Sequence, residues 1–278
     1  MRLLITTDTV GGVWDYTATL TRQLAERGHS IFLAIIGHPS EEQIATLPED
    51  IAIESYDHGL EWMRASEAEL AATAEWLARM ARLWKVDIVH LNQMAYSGLV
   101  DFEAPVVVVV HSDTCSWFRE VLGEPLPDEW LEYKRLVTQG LRGADVLVAP
   151  TRYQAEMTER CLGPRIGTVI HNGIDPPAAA DARNRTPLLL AAGRAWDEAK
   201  AMGLFDQAVS MLGAAAPPAY IVGALESPDG SRFEACCVSC VGRVSAGEVA
   251  EWMSRATIYI GTSIYEPFGL APLEAAMH

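Results

Sequence analysis

At 278 residues, half of them hydrophobic, the chain has room for two domains or one large one with sizeable buried cores. A formal charge of −16 and a pI near 4.8 argue against a general nucleic-acid binder, which needs clustered Lys and Arg, and read as a solvated acidic surface. The apolar run at 106–110 is too short to span a bilayer and the N-terminus reads as a strand rather than a signal peptide, so a cytoplasmic location is expected.

Residues 3–6 predict a short strand. Asp8, Gly11 and Gly12 follow, then a helical period over 16–27 with Ala18, Leu20 and Leu24 for one face; Gly28 ends it, and 31–36 is the next strand. Strand, glycine turn, helix, strand is a βαβ unit. The turn lacks the Gly-x-Gly-x-x-Gly spacing of nicotinamide-binding sites. Gly11-Gly12 suits a tight turn and equally a close approach of a ligand to the backbone. A helix is expected over 67–83, with Trp76, Leu77, Met80 and Leu83 at core spacing, and strands over 87–91 and 105–110. The second of these is apolar on both faces, as a central parallel strand requires. His111 stands at its carboxyl end, where open α/β sheets bind ligands, and is a candidate ligand contact; His90 reads as structural or supporting. A helix over 129–141, a strand over 145–149 and a helix capped by Thr151 and running to Cys161 follow. Asn172-Gly173 marks a turn.

The proline- and alanine-rich stretch after Asp175 reads as a linker, which divides the chain into a domain over 1–175, a linker over 176–187 and a second domain over 188–278. Residues 188–192 open a second sheet, with Gly193-Arg194 at its carboxyl end, then Lys200 and a helix over 204–212. Strands ending near Gly223 and Arg243, a helix over 248–253 and a strand over 258–262 complete a plan like that of the first half. Arg243 is as readily a surface charge as a nucleotide contact. Cys236, Cys237 and Cys240 contain a Cys-x-x-Cys spacing, but no fourth ligand or nearby His completes a zinc site, and they are read as small buried residues entering a strand.

Residues 265–274 are the most informative stretch. Pro272 suits the first turn of a helix, and 273–277 are good helix formers. Phe268, Gly269 and Leu270 then offer N–H groups at or just before a helix start, which favours an anion such as phosphate. Glu266 falls on the loop and Glu274 in the first turn, where their carboxylates can accept hydrogen bonds from hydroxyls. A phosphate between two hydroxyl-rich groups fits this layout, and a nucleotide-sugar has that form.

Glu266-Pro-Phe-Gly-Leu-x-x-Leu-Glu274 resembles the Glu-x7-Glu motif of the retaining glycosyltransferases of family 4. Gly193-Arg194…Lys200 resembles that family's Gly-Arg…Lys element, with Lys200 slightly further along than its commonest spacing. The turn from His171 to Asp175 resembles its Pro-Asn-Gly-hydrophobic-Asp turn, and His111 its cleft histidine. The resemblance covers essentially the whole chain. It implies an α/β fold of two Rossmann-like domains facing a cleft (GT-B), the second incomplete because the family continues beyond the helix that follows Gly269. It further implies transfer of a sugar, with retention, from a nucleotide-diphosphate sugar to a carbohydrate or other glycosyl acceptor. His111, Arg194, Lys200 and Glu266 would be catalytic. Gly11, Gly12, Arg194, Lys200, Phe268, Gly269, Leu270 and Glu274 would bind the donor. Arg194 and Lys200 would neutralise the leaving diphosphate, Glu266 would hold sugar hydroxyls and Glu274 the ribose. No metal and no cofactor are expected, no Asp-x-Asp motif stands out, and no residue is assigned as general base. Nucleic acid is not an expected partner, and peripheral membrane contact stays open. The rival readings are a sugar-nucleotide epimerase or phosphorylase of the same fold, and an inactive nucleotide-sugar-binding fragment.

Overall fold

The computed structural model describes residues 1–57, 59–175, 185–227 and 230–278. It divides into two compact units, Met1–Gly173 and Ile174–His278. The expected linker falls, over 176–184, outside the described residues; Thr186 and Pro187 at its end already belong to the first strand of the second sheet.

The first unit runs β1 (Arg2–Asp8), α1 (Gly12–Glu26), β2 (Ser30–Ile36), α2 (Glu41–Ile44), β3 (Ala52–Tyr56), α3 (Glu67–Trp84), β4 (Ile88–Leu91), β5 (Val106–Val109), α4 (Thr114–Trp117), α5 (Leu131–Gly143), β6 (Val146–Ala149), α6 (Arg152–Leu162) and β7 (Thr168–Val169). Its seven strands are all parallel, in the order β3-β2-β1-β4-β5-β6-β7. Alternation along β1 and β2 sorts side chains to two cores. Leu4, Phe32 and Ala34 pack with Leu77 and Tyr96 on one face; Leu3, Ile5, Leu33 and Ile35 pack with Trp14 and Ala18 on the other. Each fully buried Leu or Ile contributes about 1.5–3 kcal/mol. α3 begins where Ser66 and Glu69 form a reciprocal capping box. It buries Trp76, Leu77 and Met80 as expected, whereas Leu83, in its last turn, is exposed. Thr151 caps α6 as expected, accepting from Gln154 N at 3.0 Å. α1 starts four residues before the expected Tyr16, because Gly11 at φ 69 turns the chain straight into the helix.

The second unit runs β8 (Thr186–Ala192), α7 (Met202–Leu212), β9 (Ala219–Val222), β10 (Ser239–Gly242), α8 (Ala246–Arg255), β11 (Ala256–Tyr259) and α9 (Leu270–Met277). Its strands are parallel in the order β10-β9-β8-β11. Leu189 and Ala191 pack with Phe205 and Val209 on one face, and Leu188, Leu190 and Ala192 with Met253 and Ala256 on the other. Both sheets therefore reverse strand order beside their first strand, between β1 and β4 and between β8 and β11. Such switch points open a crevice at the carboxyl ends of the strands.

Two expectations fail. The first is the place of Glu274: α9 begins directly after Gly269 with Pro272 in its first turn, as expected, Gly269 at φ 91 ending the loop and its carbonyl accepting from Leu273 N at 3.2 Å. Glu274 is thereby the fifth residue of the helix and lies in its second turn, not its first. Cys236 and Cys237 are exposed rather than buried. The Asp206 carboxylate accepts the backbone N–H groups of Cys236, Cys237 and Val238 at 2.8–3.0 Å, which holds this segment before β10 as a loop. No described helix is long and apolar enough to cross a membrane.

Candidate active site

The carboxyl ends of β8 and β9 form a floor of bare backbone. Gly193 N donates to Val222 O at 2.9 Å, and a Cβ on Gly223 would run into the Gly193 carbonyl oxygen. Gly223 sits at φ 136, which disfavours an L side chain as well. Arg194 follows directly. Its Nη2 donates to Asp197 Oδ2 at 2.7 Å, its guanidinium carbon lies 5.6 Å from the centroid of the Trp196 ring, and its buried Nε has no hydrogen-bond partner. Asp197 also accepts from Ala199 N at 3.0 Å, so one buried carboxylate holds both the arginine and the turn that carries Lys200.

The Lys200 stem lies across Gly193, its Cδ and Cε each 3.8 Å from where a Cβ would stand. Its Nζ donates to Glu266 Oε2 at 2.5 Å, and Ser263 Oγ donates to the same oxygen at 2.9 Å. The two loops are tied by Thr262 Oγ1 donating to Lys200 O at 2.7 Å and Ile264 N to Ala199 O at 2.9 Å. Glu266 Cγ is 3.4 Å from the position a Cβ on Gly269 would take, so the glycine lets the carboxylate lie close to the start of α9. Gly193, Lys200, Glu266 and Gly269 thus meet at the second switch point, with Arg194 next to Gly193. Phe268 stands in the loop, Leu270 is the first helical residue, and Glu274 lies one turn further in. Arg243 is exposed just past β10. Tyr259, at the end of β11, carries no motif that would mark it in the sequence. Its hydroxyl donates to Ala192 O at 3.3 Å, and burial, with the Glu266 and Glu274 carboxylates, pushes its phenol up to about 12. As chemistry, the cluster offers two cations to a phosphate and a carboxylate to hydroxyls.

The first unit brings a separate set of groups to its own switch point. Gly11 ends the turn that opens α1, with Gly12 the first helical residue. Asp8, at the end of β1, accepts from Val10 N at 2.8 Å. His111 lies just past β5, and its Nε2 is 2.9 Å from Asn92 Oδ1; His90 Nε2 is 3.3 Å from the same oxygen. Tyr16 of α1 meets the His111 ring edge-on, centroids 4.6 Å apart. Burial depresses both imidazoles, to about 4 for His90 and about 3 for His111, where the neighbouring His90 adds to the effect. Both rings are therefore neutral at pH 7. Asn92 and Tyr16 join the site without a sequence signal, since neither stands in a motif.

Asp113, two residues beyond His111, has a structural role. It accepts from Ser116 N and Oγ, Gln154 Nε2 and Thr158 Oγ1, all at 2.7–3.2 Å. It lies with Cys115 and Cys161 in a buried group whose polar atoms are within 4.8 Å of one another. Oδ2 already accepts three of those bonds, so the carboxylate is saturated by the protein's own donors.

Similarity to known proteins agrees with this architecture. Sucrose-phosphate synthase from Thermosynechococcus elongatus superposes with a TM-score of 0.75 over 99% of this chain and 78% of its own, at 18% identity. A variant of S. aureus TarM, in complex with Fondaparinux, alpha-GlcNAc-glycerol and UDP, gives 0.72 over 99% and 84%, at 9% identity. An alpha-glucosyltransferase in complex with UDP-glucose and DNA containing an abasic site gives 0.60 over 94% and 72%, at 14% identity. At these identities the likeness shows the fold, which is GT-B with two Rossmann-like domains. No curated protein sequence matches this one. Residues 10–177, more than half of the chain, match the family described as Glycosyltransferase Family 4. With its parallel sheets and a switch point in each, the chain belongs to glycosyltransferase family 4.

Proposed function

We propose that this glycosyltransferase moves a sugar from a nucleotide-diphosphate sugar to a hydroxyl acceptor, with retention of anomeric configuration and without a metal ion. The observation that carries the reading is the pairing of Lys200, whose stem crosses Gly193, with Glu266, Nζ to Oε2 2.5 Å and the same oxygen accepting from Ser263. A diphosphate leaving the anomeric carbon takes the electron pair of the broken C–O bond and gains negative charge. Arg194 and Lys200 are cations of fixed position that can stabilise it. The amino end of α9, with its positive dipole end, would add to this. Glu266 would accept from sugar hydroxyls and Glu274 from the ribose. The acceptor oxygen would form the new bond to the anomeric carbon on the face the diphosphate leaves, and its proton would pass to an oxygen of the departing diphosphate. The first unit, with Gly11, Gly12 and His111, would serve the acceptor side and contact the donor sugar.

The test is transfer of label from UDP-, GDP- and ADP-sugars to oligosaccharide acceptors, with and without EDTA. Transfer that survives EDTA is expected. Arg194→Ala and Glu266→Ala should each lower it by about 10²–10³-fold while the circular dichroism stays native. Isomerised donor without transfer would mean an epimerase, and full activity in either variant would remove the site assignment.

A further inference from the structure

We propose that Asn92 is a positioning residue that holds His111 and His90 as their Nε2–H tautomers, so that each ring keeps its Nδ1 lone pair as a hydrogen-bond acceptor. For His111 that acceptor would serve a ligand hydroxyl, a role that rests on the sugar-transfer reading above.

A count of donors and acceptors fixes the state of both rings. Asn92 is 8% exposed and sits just past β4. Its Nδ2 donates to Thr6 O at 2.7 Å and to Thr17 Oγ1 at 3.0 Å. A backbone carbonyl can only accept, which fixes the amide orientation. Thr17 Oγ1 in turn spends its own proton on Val13 O at 2.8 Å, so it too receives from Asn92. Asn92 N donates to Thr6 Oγ1 at 2.9 Å, which locks the backbone at this point. Both amide protons are therefore committed, and Oδ1 has two lone pairs left. His111 and His90 take one each through Nε2. An amide oxygen only accepts, so both Nε2 atoms must carry the proton and both Nδ1 atoms must lack it. All four hydrogen-bonding positions of the side chain are filled, two of them by histidines that the network leaves in one defined state. Tyr16, whose ring packs edge-on against His111 and lies 6.3 Å from that of His90, fixes the rings from the α1 side.

Histidine tautomers are read by long-range proton–nitrogen correlation on ¹⁵N-labelled full chain, with His90→Gln and His111→Gln assigning the signals. In the unaltered protein at pH 7, both residues are expected as neutral Nε2–H imidazoles. Asn92→Leu should leave both as mixed tautomers and lower kcat/KM for sugar transfer about tenfold, the cost of one misaligned hydrogen bond. Asn92→Asp keeps the acceptor and should restore the Nε2–H form, while its negative charge raises the titration of both rings. The ionisable groups facing His111 are His90 on β4 and Tyr16 on α1, and the Tyr16 phenol, pushed up to about 12, stays neutral throughout. An Nδ1–H His111 in the unaltered protein, or tautomers unchanged in Asn92→Leu, would overturn the proposal. Should Asn92→Leu not fold, an unshifted His111 titration in Asn92→Asp does the same. The tautomers are read without substrate, so a chain with the expected rings but no transfer in any nucleotide-sugar assay would end the transfer reading and leave the placement of the histidine protons standing.

Discussion

Glu61 lies outside any motif, yet it ties the stability of the fold to pH. Its carboxyl is 4% exposed and accepts from Met94 N at 2.9 Å and Ala95 N at 2.7 Å, at the head of the short helical turn Tyr96–Gly98. Burial raises it to about 7, the two N–H groups oppose the shift, and the Asp8 charge adds to it. The folded protein therefore holds a proton that the unfolded chain releases near 4.5. Glu61 contributes stability in full below pH 4.5, and that stability is lost as pH rises through about 7. The two values imply about 3 kcal/mol. The histidines run the other way. Depressed to about 4 and about 3, they contribute stability that is complete above 6.5 and lost as pH falls toward those values. Comparing Glu61→Gln with the parent cancels them. In denaturant titrations, the parent's stability relative to Glu61→Gln should fall by about 3 kcal/mol between pH 4.5 and 7.5. A difference that stays flat across that range would contradict the buried-proton account.

At the scale of elements, the junction between the Glu198–Lys200 turn and α7 carries strain. Ala201 closes the turn and opens the helix at φ 46, ψ 40, a left-handed conformation that costs a residue with a Cβ about 1 kcal/mol. Ala201→Gly should raise stability by about that amount, seen as a higher denaturation midpoint at unchanged slope, and leave the Lys200–Glu266 pair in place. A lower midpoint would mean that the loss of chain stiffness in the unfolded state outweighs the strain. Elements with strong periodicity and local caps are legible in the sequence: α3 with its Ser66–Glu69 box and α6 with Thr151 are local statements. β3 is not, because Ala-Ile-Glu-Ser-Tyr lacks an apolar run and becomes a strand by pairing with β2 at the sheet edge. The start of α9 after Gly269 is legible, but the turn that holds Glu274 is misread, because Pro272 suits any position of a first turn whereas the positive φ of Gly269, which makes Leu270 the first helical residue and Glu274 the fifth, is a property of the loop. Lys200 and Glu266 are legible as a pair of motif residues, but their contact is not, since 66 positions separate them. The Asn92 network is less legible still. It joins β1, α1, β4 and His111, just past β5, and no window of sequence contains it.

For the whole molecule, one plan serves twice. Each unit has a parallel sheet, a core on either face and a strand-order reversal beside its first strand, and each gathers its polar side chains at that reversal. The cationic pair Arg194 and Lys200 belongs to the second unit, within a chain of charge −16. The surface field therefore repels a free anion, and binding must come from short-range contacts at the backbone floor of Gly193 and Gly223 rather than from net charge. That locates the expected response to a nucleoside diphosphate. At about one hundred times its dissociation constant, UDP, GDP or ADP should stabilise the protein by about 3 kcal/mol through mass action, whichever base the site accepts. Hydrogen-exchange protection should rise first at Gly193, Lys200, Gly269 and Leu270, with the first unit changing less. Moderate salt should leave the affinity of the accepted nucleotide within a few-fold, because partly buried contacts are screened little. Protection confined to the first unit, or affinity that collapses with salt, would place the diphosphate elsewhere than on Arg194 and Lys200.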